Sequence, residues 1–185
     1  MRCLFPRRRR RNTVYFMSYL LDFHALNWSE LTAAIAVAPS VAPHDAGCAD
    51  GVWERGLAEI RSGIITEDGM VVVSWIVCSH DALIGSLPHN AGGWGWFVEE
   101  ALPDFERRLG IPEFAKHVMG RKVAGLMSSG FCSLGGLLAS ELSILQGLEV
   151  IPDAKSDEIE EYDEDLWSII SGIKAAGTDV VTIFG

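Results

Sequence analysis

Cys78, His80 and Asp81 bring a thiol, an imidazole and a carboxylate within four residues of one another. A thiol needs a nearby base to become a nucleophilic thiolate, and an imidazole serves best when a carboxylate orients it. These three, with His89 further along, are the candidate catalytic residues of a small hydrolase or transferase. Residues one to three apart seldom face one another, and Cys–His pairs in enzymes usually come from separate segments. The competing account is a helix end with a buried cysteine and exposed polar neighbours.

His44, Asp45, Cys48 and Asp50 offer metal-capable atoms at short spacing. Zinc takes four protein ligands, or three and a water, so further ligands would have to come from elsewhere, such as His24 or His89. A polar loop collects such residues by chance, and neither a metal nor another cofactor is expected. Cys3, Cys48, Cys78 and Cys132 are widely spaced and include no C-x-x-C pair. Free thiols in a reducing cytoplasm explain them better than a disulfide framework.

Two further stretches suit binding rather than catalysis. From His89 to Phe97, glycines allow close backbone approach, while Trp94 and Trp96 offer flat anchors. The spacing lacks the G-x-G-x-x-G order of a phosphate loop, so the choice is between an interaction hot spot and indoles that belong to the core. The second stretch holds seven acids: Asp157, Glu158, Glu160, Glu161, Asp163, Glu164 and Asp165. Acids suit a helix N-terminus. They also suit a surface that docks a basic protein. They lack the D-x-D-x-D-G order of a calcium loop.

The elements that must position these residues follow from periodicity. Alternation from Val14 to Leu26 predicts a first strand. Asn27 and Glu30 form a capping-box pattern for a helix reaching about Val37, with Leu31, Ala34 and Ile35 inward. Residues 38–50 are loop. Trp53, Leu57, Ile60 and Ile64 make one stripe of a second helix starting near Val52. Asp68-Gly69 is a hairpin signal and the β-branched residues after it favour strand, yet the apolar run from Met70 to Ile84 is long enough for a buried helix, and the residues alone leave both readings open. A loop is expected from Leu87 to Gly93, then a helix from Trp94 to Leu109 interrupted at Pro103. Pro112 opens a short helix through Met119, Gly130 to Gly136 is a turn, and Leu137 to Leu145 a further helix. Leu166, Trp167, Ile169, Ile170 and Ile173 mark a last helix, stopped at Gly177, before a terminal strand over 178–184.

Size and charge narrow the function. A chain of 185 residues buries roughly two-thirds of its unfolded surface, so a core needs neither disulfides nor metal. The net charge of −10 hides an asymmetry: residues 1–16 carry six arginines and no acid, leaving a body of −16. Such a body repels phosphate backbones, which excludes nucleic acid as the expected partner and favours a basic protein. Residues 1–16 read as a disordered or non-native extension, with Met17 a possible start, and residues 17–185 as one domain. The apolar run after the arginines is too short to span a bilayer and has no cleavage pattern after it, so neither membrane insertion nor export is expected.

The ending from Leu166 to Gly185, with the strand and capped helix near the start, resembles a group of uncharacterised actinobacterial proteins distantly similar to YfbM-like proteins. The likeness covers mainly residues 17–37 and 130–185, with Phe131 to Leu145 in the place of that family's turn and short helix. It implies a helical middle, which makes helix the expected reading of Met70 to Ile84, and a cytoplasmic domain, and it brings no catalytic motif. The expected fold is α+β: a small, mostly antiparallel sheet including both terminal strands, packed with several helices. The expected function is non-catalytic binding of a basic protein, for example by an immunity protein that neutralises a toxin.

Overall fold

The structure, a computed structural model, describes residues 18–90, 98–99, 102–129, 133–142 and 160–185. In chain order the elements are β1 (Ser18–Ala25), α1 (Trp28–Ala36), α2 (Val52–Ser62), β2 (Ile64–Ile65), α3 (Glu67–Ser79), β3 (Leu83–Asn90), α4 (Leu102–Leu109), α5 (Phe114–Gly120), β4 (Met127–Ser128), β5 (Ser133–Leu137), α6 (Ala139–Leu142), α7 (Glu160–Ala176) and β6 (Val180–Phe184). Four strands pair in the order β3–β1–β6–β5, every neighbouring pair antiparallel. The first and last strands therefore lie side by side at the centre, and the fold is α+β as expected. β2 and β4 form a separate, parallel two-stranded ladder. No helix among the described residues is long and apolar enough to cross a membrane.

The sheet separates two cores, because successive side chains of a strand point to opposite faces. Leu21, Phe23, Val180 and Phe184 face one layer, with Leu102, Leu109, Phe114, Val118, Ile169, Ile170 and Ile173 from α4, α5 and α7. Val181, Ile183 and Leu134 face the other, with Leu31, Trp53, Leu57, Val73, Ile76 and Val77 from α1, α2 and α3. Burial on both faces explains why β6 is apolar on both sides, Thr182 excepted, rather than alternating.

Several local expectations change. The helix over Met70 to Ile84 holds to Ser79, but Leu83 and Ile84 already belong to β3. Asp81, at φ +50°, reverses the chain between them. Asp68-Gly69 makes no hairpin. Gly69 lies in the first turn of α3, where its N–H donates to the Glu59 carboxylate at 2.8 Å. Ile64 leaves the α2 stripe: Gly63, at φ +79°, ends the helix, Ile64 is exposed and Ile65 is buried instead.

Leu87 to Asn90 are strand rather than loop. Pro88 is tolerated because β3 is the sheet edge, where one side of the strand needs no donor. Val98 and Glu99 are helical, and Pro103 sits in the first turn of α4, where a missing N–H costs least; residues 94–97, 100 and 101 of the expected helix lie outside the described residues. The expected turn over Gly130 to Gly136 contains β5, all five residues of which are buried. Leu137 ends that strand, so the described part of the helix expected to follow is only Ala139–Leu142.

Candidate functional site

The proposed catalytic residues sit at the end of α3. Cys78 is half-buried in its last turn, while His80 and Asp81 are exposed in the turn beyond. That turn is held by backbone bonds, from the His80 N–H to the Val77 carbonyl and from the Asp81 N–H to the Cys78 carbonyl. No hydrogen bond or ion pair joins the His80 and Asp81 side chains. His89 occupies β3 opposite Tyr19 of β1, not a loop. Asp45 accepts a hydrogen bond from the Trp75 indole at 3.2 Å. Among the described residues no three His, Cys, Asp or Glu side chains gather as a metal site.

Of the binding candidates, Trp94, Trp96, Asp157 and Glu158 lie outside the described residues. Glu160, Glu161, Asp163, Glu164 and Asp165 belong to the first turns of α7. The direction of that helix is set by two close contacts. A Cβ on Gly172 would lie 2.4 Å from Ile84, and one on Gly85 would lie 2.9 Å from Ile169. α7 therefore runs antiparallel to β3, with its acidic start toward the Asn90 end of the sheet, where β1 begins. The apolar turns containing Ile169, Ile170 and Ile173 anchor it.

Two polar centres were not assembled by the sequence-based reading, which raises His24 only as an extra metal ligand. The first gathers around Trp28 at the head of α1. The Asp179 carboxylate accepts from the Trp28 N–H at 3.1 Å and the Ala139 N–H at 2.8 Å, so it caps α1 and α6 together. The Trp28 indole donates to the Val180 carbonyl at 3.1 Å, and the Arg121 guanidinium lies 5.2 Å from its ring centroid. Arg121 in turn makes 2.9 and 2.7 Å bonds to Glu141. Partial burial opposes ionisation of Glu141, yet the bonds from Arg121 and the Leu138 N–H hold its carboxyl below the ordinary range. Beside this knot an open cleft of about 560 Å³ is lined by Trp28, Ser29, Thr32, Lys122, Ala124 and Gly125.

The double cap makes Asp179→Ala costly. Loss of one cap typically costs about 1 kcal/mol, so about 2 kcal/mol is expected. Asp179→Asn keeps a single acceptor oxygen, so it can cap one of the two helices but not both, and should recover part of the loss. Urea unfolding of the two variants measures both; an alanine cost under about 0.5 kcal/mol contradicts the double role.

The second centre is Asp22 and His24, alternate residues of β1 on one face. Their register partners on β6 are Ile183 and Val181, so both side chains point into the core shared with α1, α2 and α3. Across the pair on β3, Ser86 lies opposite Asp22 and hydrogen-bonds its carboxyl. His24 sits where the β1–β3 register slips, with Phe23 facing Gly85 and His24 facing Leu83. His24 is 2% exposed. Among the described residues, neither of its ring nitrogens has a hydrogen-bond partner, and Asp22 Oδ1 has none either.

Burial pushes the Asp22 carboxyl up, with the Ser86 bond pulling the other way. Burial also pushes His24 down, to about 4. At neutral pH the imidazole is therefore uncharged, with an unused donor and an unused acceptor. Its burial keeps a substrate from reaching it while the layer is closed. The available signal was two ionisable residues, at i and i+2, inside an otherwise apolar strand. His117 Nδ1 and Ser133 Oγ are likewise buried without a partner, and no hydrogen bond joins them.

No family model matches the chain, and neither does any curated protein or solved structure.

Proposed function

We propose that the protein is a non-catalytic binding module that engages a basic partner protein through the acidic surface around the start of α7. A toxin-neutralising immunity protein is its most concrete form. The supporting observation is the acidic run itself, continuing through the opening turns of a helix anchored by apolar residues further along. Acids on a supported helix act as an assembled charge patch, which speeds encounter with a basic protein and disfavours acidic competitors. The remaining negative charge of the body acts in the same sense.

The test titrates the full chain with a deca-arginine peptide at several salt concentrations. Exposed ion pairs contribute a few tenths of a kcal/mol each. Replacing Asp157, Glu158, Glu160, Glu161, Asp163, Glu164 and Asp165 by Asn and Gln should therefore weaken binding by roughly 10- to 100-fold. Rising salt should weaken the unmodified protein and approach the same result. Salt-insensitive binding, or unchanged affinity in the neutralised variant, overturns the proposal.

A further inference from the structure

We infer that His24 is an acid-sensitive latch between the sheet and the α1–α2–α3 layer, whose protonation opens that layer while the α4–α5–α7 layer stays packed. The inference is independent of the proposed partner.

The two cores lie on opposite faces of the sheet, so one layer has a structural route to open without the other. His24 projects into only one of them. Among the described residues its surroundings supply no counter-charge for an imidazolium. Its neighbours on β6 are Val181 and Ile183. α3 contributes Val73, Ile76 and Val77 to this core, with the half-buried Cys78 thiol near its end. α1 contributes Leu31, and its Glu30 is exposed. On α2, Glu54, Arg55 and Arg61 are exposed, and Glu59 accepts bonds from Thr66 and Gly69. On β3, Leu83 stands opposite, and Ser86 is committed to Asp22. The turn before β3 carries His80 and Asp81, both exposed. Asp22 is the ionisable neighbour on the same face, and its own burial favours the neutral acid. A charged imidazole is costly in such a place because no partner repays its lost hydration.

The direction follows from proton linkage. In the opened layer the imidazole titrates near its ordinary value of 6.5; in the closed layer it titrates near 4. Between those limits the open state binds more protons. The closed layer is therefore fully favoured above pH 6.5 and is progressively lost as pH falls toward 4. The difference corresponds to a rise in the opening equilibrium whose limit, well below pH 4, is roughly 300-fold. Asp22 acts in the opposite sense: its raised pKa favours the closed layer in acid and is a burden at neutral pH.

Amide hydrogen exchange from pH 7 to pH 4, corrected for its intrinsic pH dependence, tests this on the full chain. Near-UV circular dichroism of the Trp53–Trp75 pair reports on the same layer. Exchange in residues 28–79 should rise by roughly 100-fold between pH 7 and pH 4, while residues 114–120 and 169–184 keep their protection. His24→Leu should flatten that rise. His24→Gln, neutral at every pH, should do the same and serves if the leucine variant does not fold. Asp22→Asn should leave the acid opening in place. The inference is overturned if both His24 variants open at the pH of the unmodified protein, if Asp22→Asn abolishes the opening, or if both layers lose protection together.

Discussion

Trp53→Ala is expected to destabilise the protein by about 3–5 kcal/mol, the range for deleting a large buried aromatic. Trp53 is wholly buried in the first turn of α2. Its ring meets Trp75 of α3 edge to face, with centroids 5.4 Å apart and planes at 83°. Its indole N–H donates to the Pro39 carbonyl at 2.8 Å and ties down the loop after α1. Alanine removes the packing, leaves a cavity and strips that carbonyl of its donor. Trp53→Phe refills much of the space and loses chiefly the hydrogen bond, so about 1–2 kcal/mol is expected. Urea unfolding followed by circular dichroism measures both variants. An alanine cost under about 1 kcal/mol contradicts this account of the α1–α2–α3 core.

Gly135→Ala should be the second large effect, through crowding instead of a void. A Cβ on Gly135 would lie 2.4 Å from the carbonyl oxygens of both His117 and Val118. These are backbone atoms of α5, and a rotamer change cannot relieve the clash. α5 is further tied to the sheet by the Thr182 hydroxyl, which donates to the Val118 carbonyl at 2.6 Å. The methyl group must push α5 off β5 and β6, at about 3 kcal/mol or more. Gly120→Ala supplies the contrast. Nothing stands within 4 Å of a Cβ there, and its φ is not positive. That change should stabilise by about 0.4–1 kcal/mol through the unfolded chain. Thermal melts of the pair should move in opposite directions; a shared direction contradicts the close-approach argument.

The same glycine shows why part of the fold could not be read from local signals. Gly135 and Gly136 resemble a turn in sequence, since glycine frees the backbone for one. They lie in a strand paired with β6, and glycine is needed there because α5 approaches one and the Val180 carbonyl and Trp28 ring approach the other. Pro88 likewise argues for a loop until the sheet order makes β3 an edge. Asp68-Gly69 signals a hairpin until the Glu59 carboxylate meets the Gly69 N–H. In each case a distant partner overrides the local preference.

The candidate site divides along the same line. Cys78, His80 and Asp81 were conspicuous because they are neighbours in the chain, yet they end a helix with two of them exposed. Asp22 and His24 were conspicuous only as an interruption of an apolar run. Burying His24 required α1, α2 and α3 to close over one face of β1.

The sequence by itself determined what depends on short-range pattern and on charge. The Asn27 cap of α1, which accepts from the Ser29 N–H at 2.8 Å, was legible, because its partner lies two residues away. So were the apolar stripe of α7, its stop at Gly177 and the strand that follows, since periodicity and a left-handed glycine act locally. The excess of acids over bases needs no fold at all. Only the tertiary structure decided that Asp179 caps two helices, that Gly135 admits α5, and that His24 lies buried with no hydrogen-bond partner among the described residues. Those three outcomes depend on which surfaces meet across the sheet, and contacts of that range leave no periodic trace in the chain.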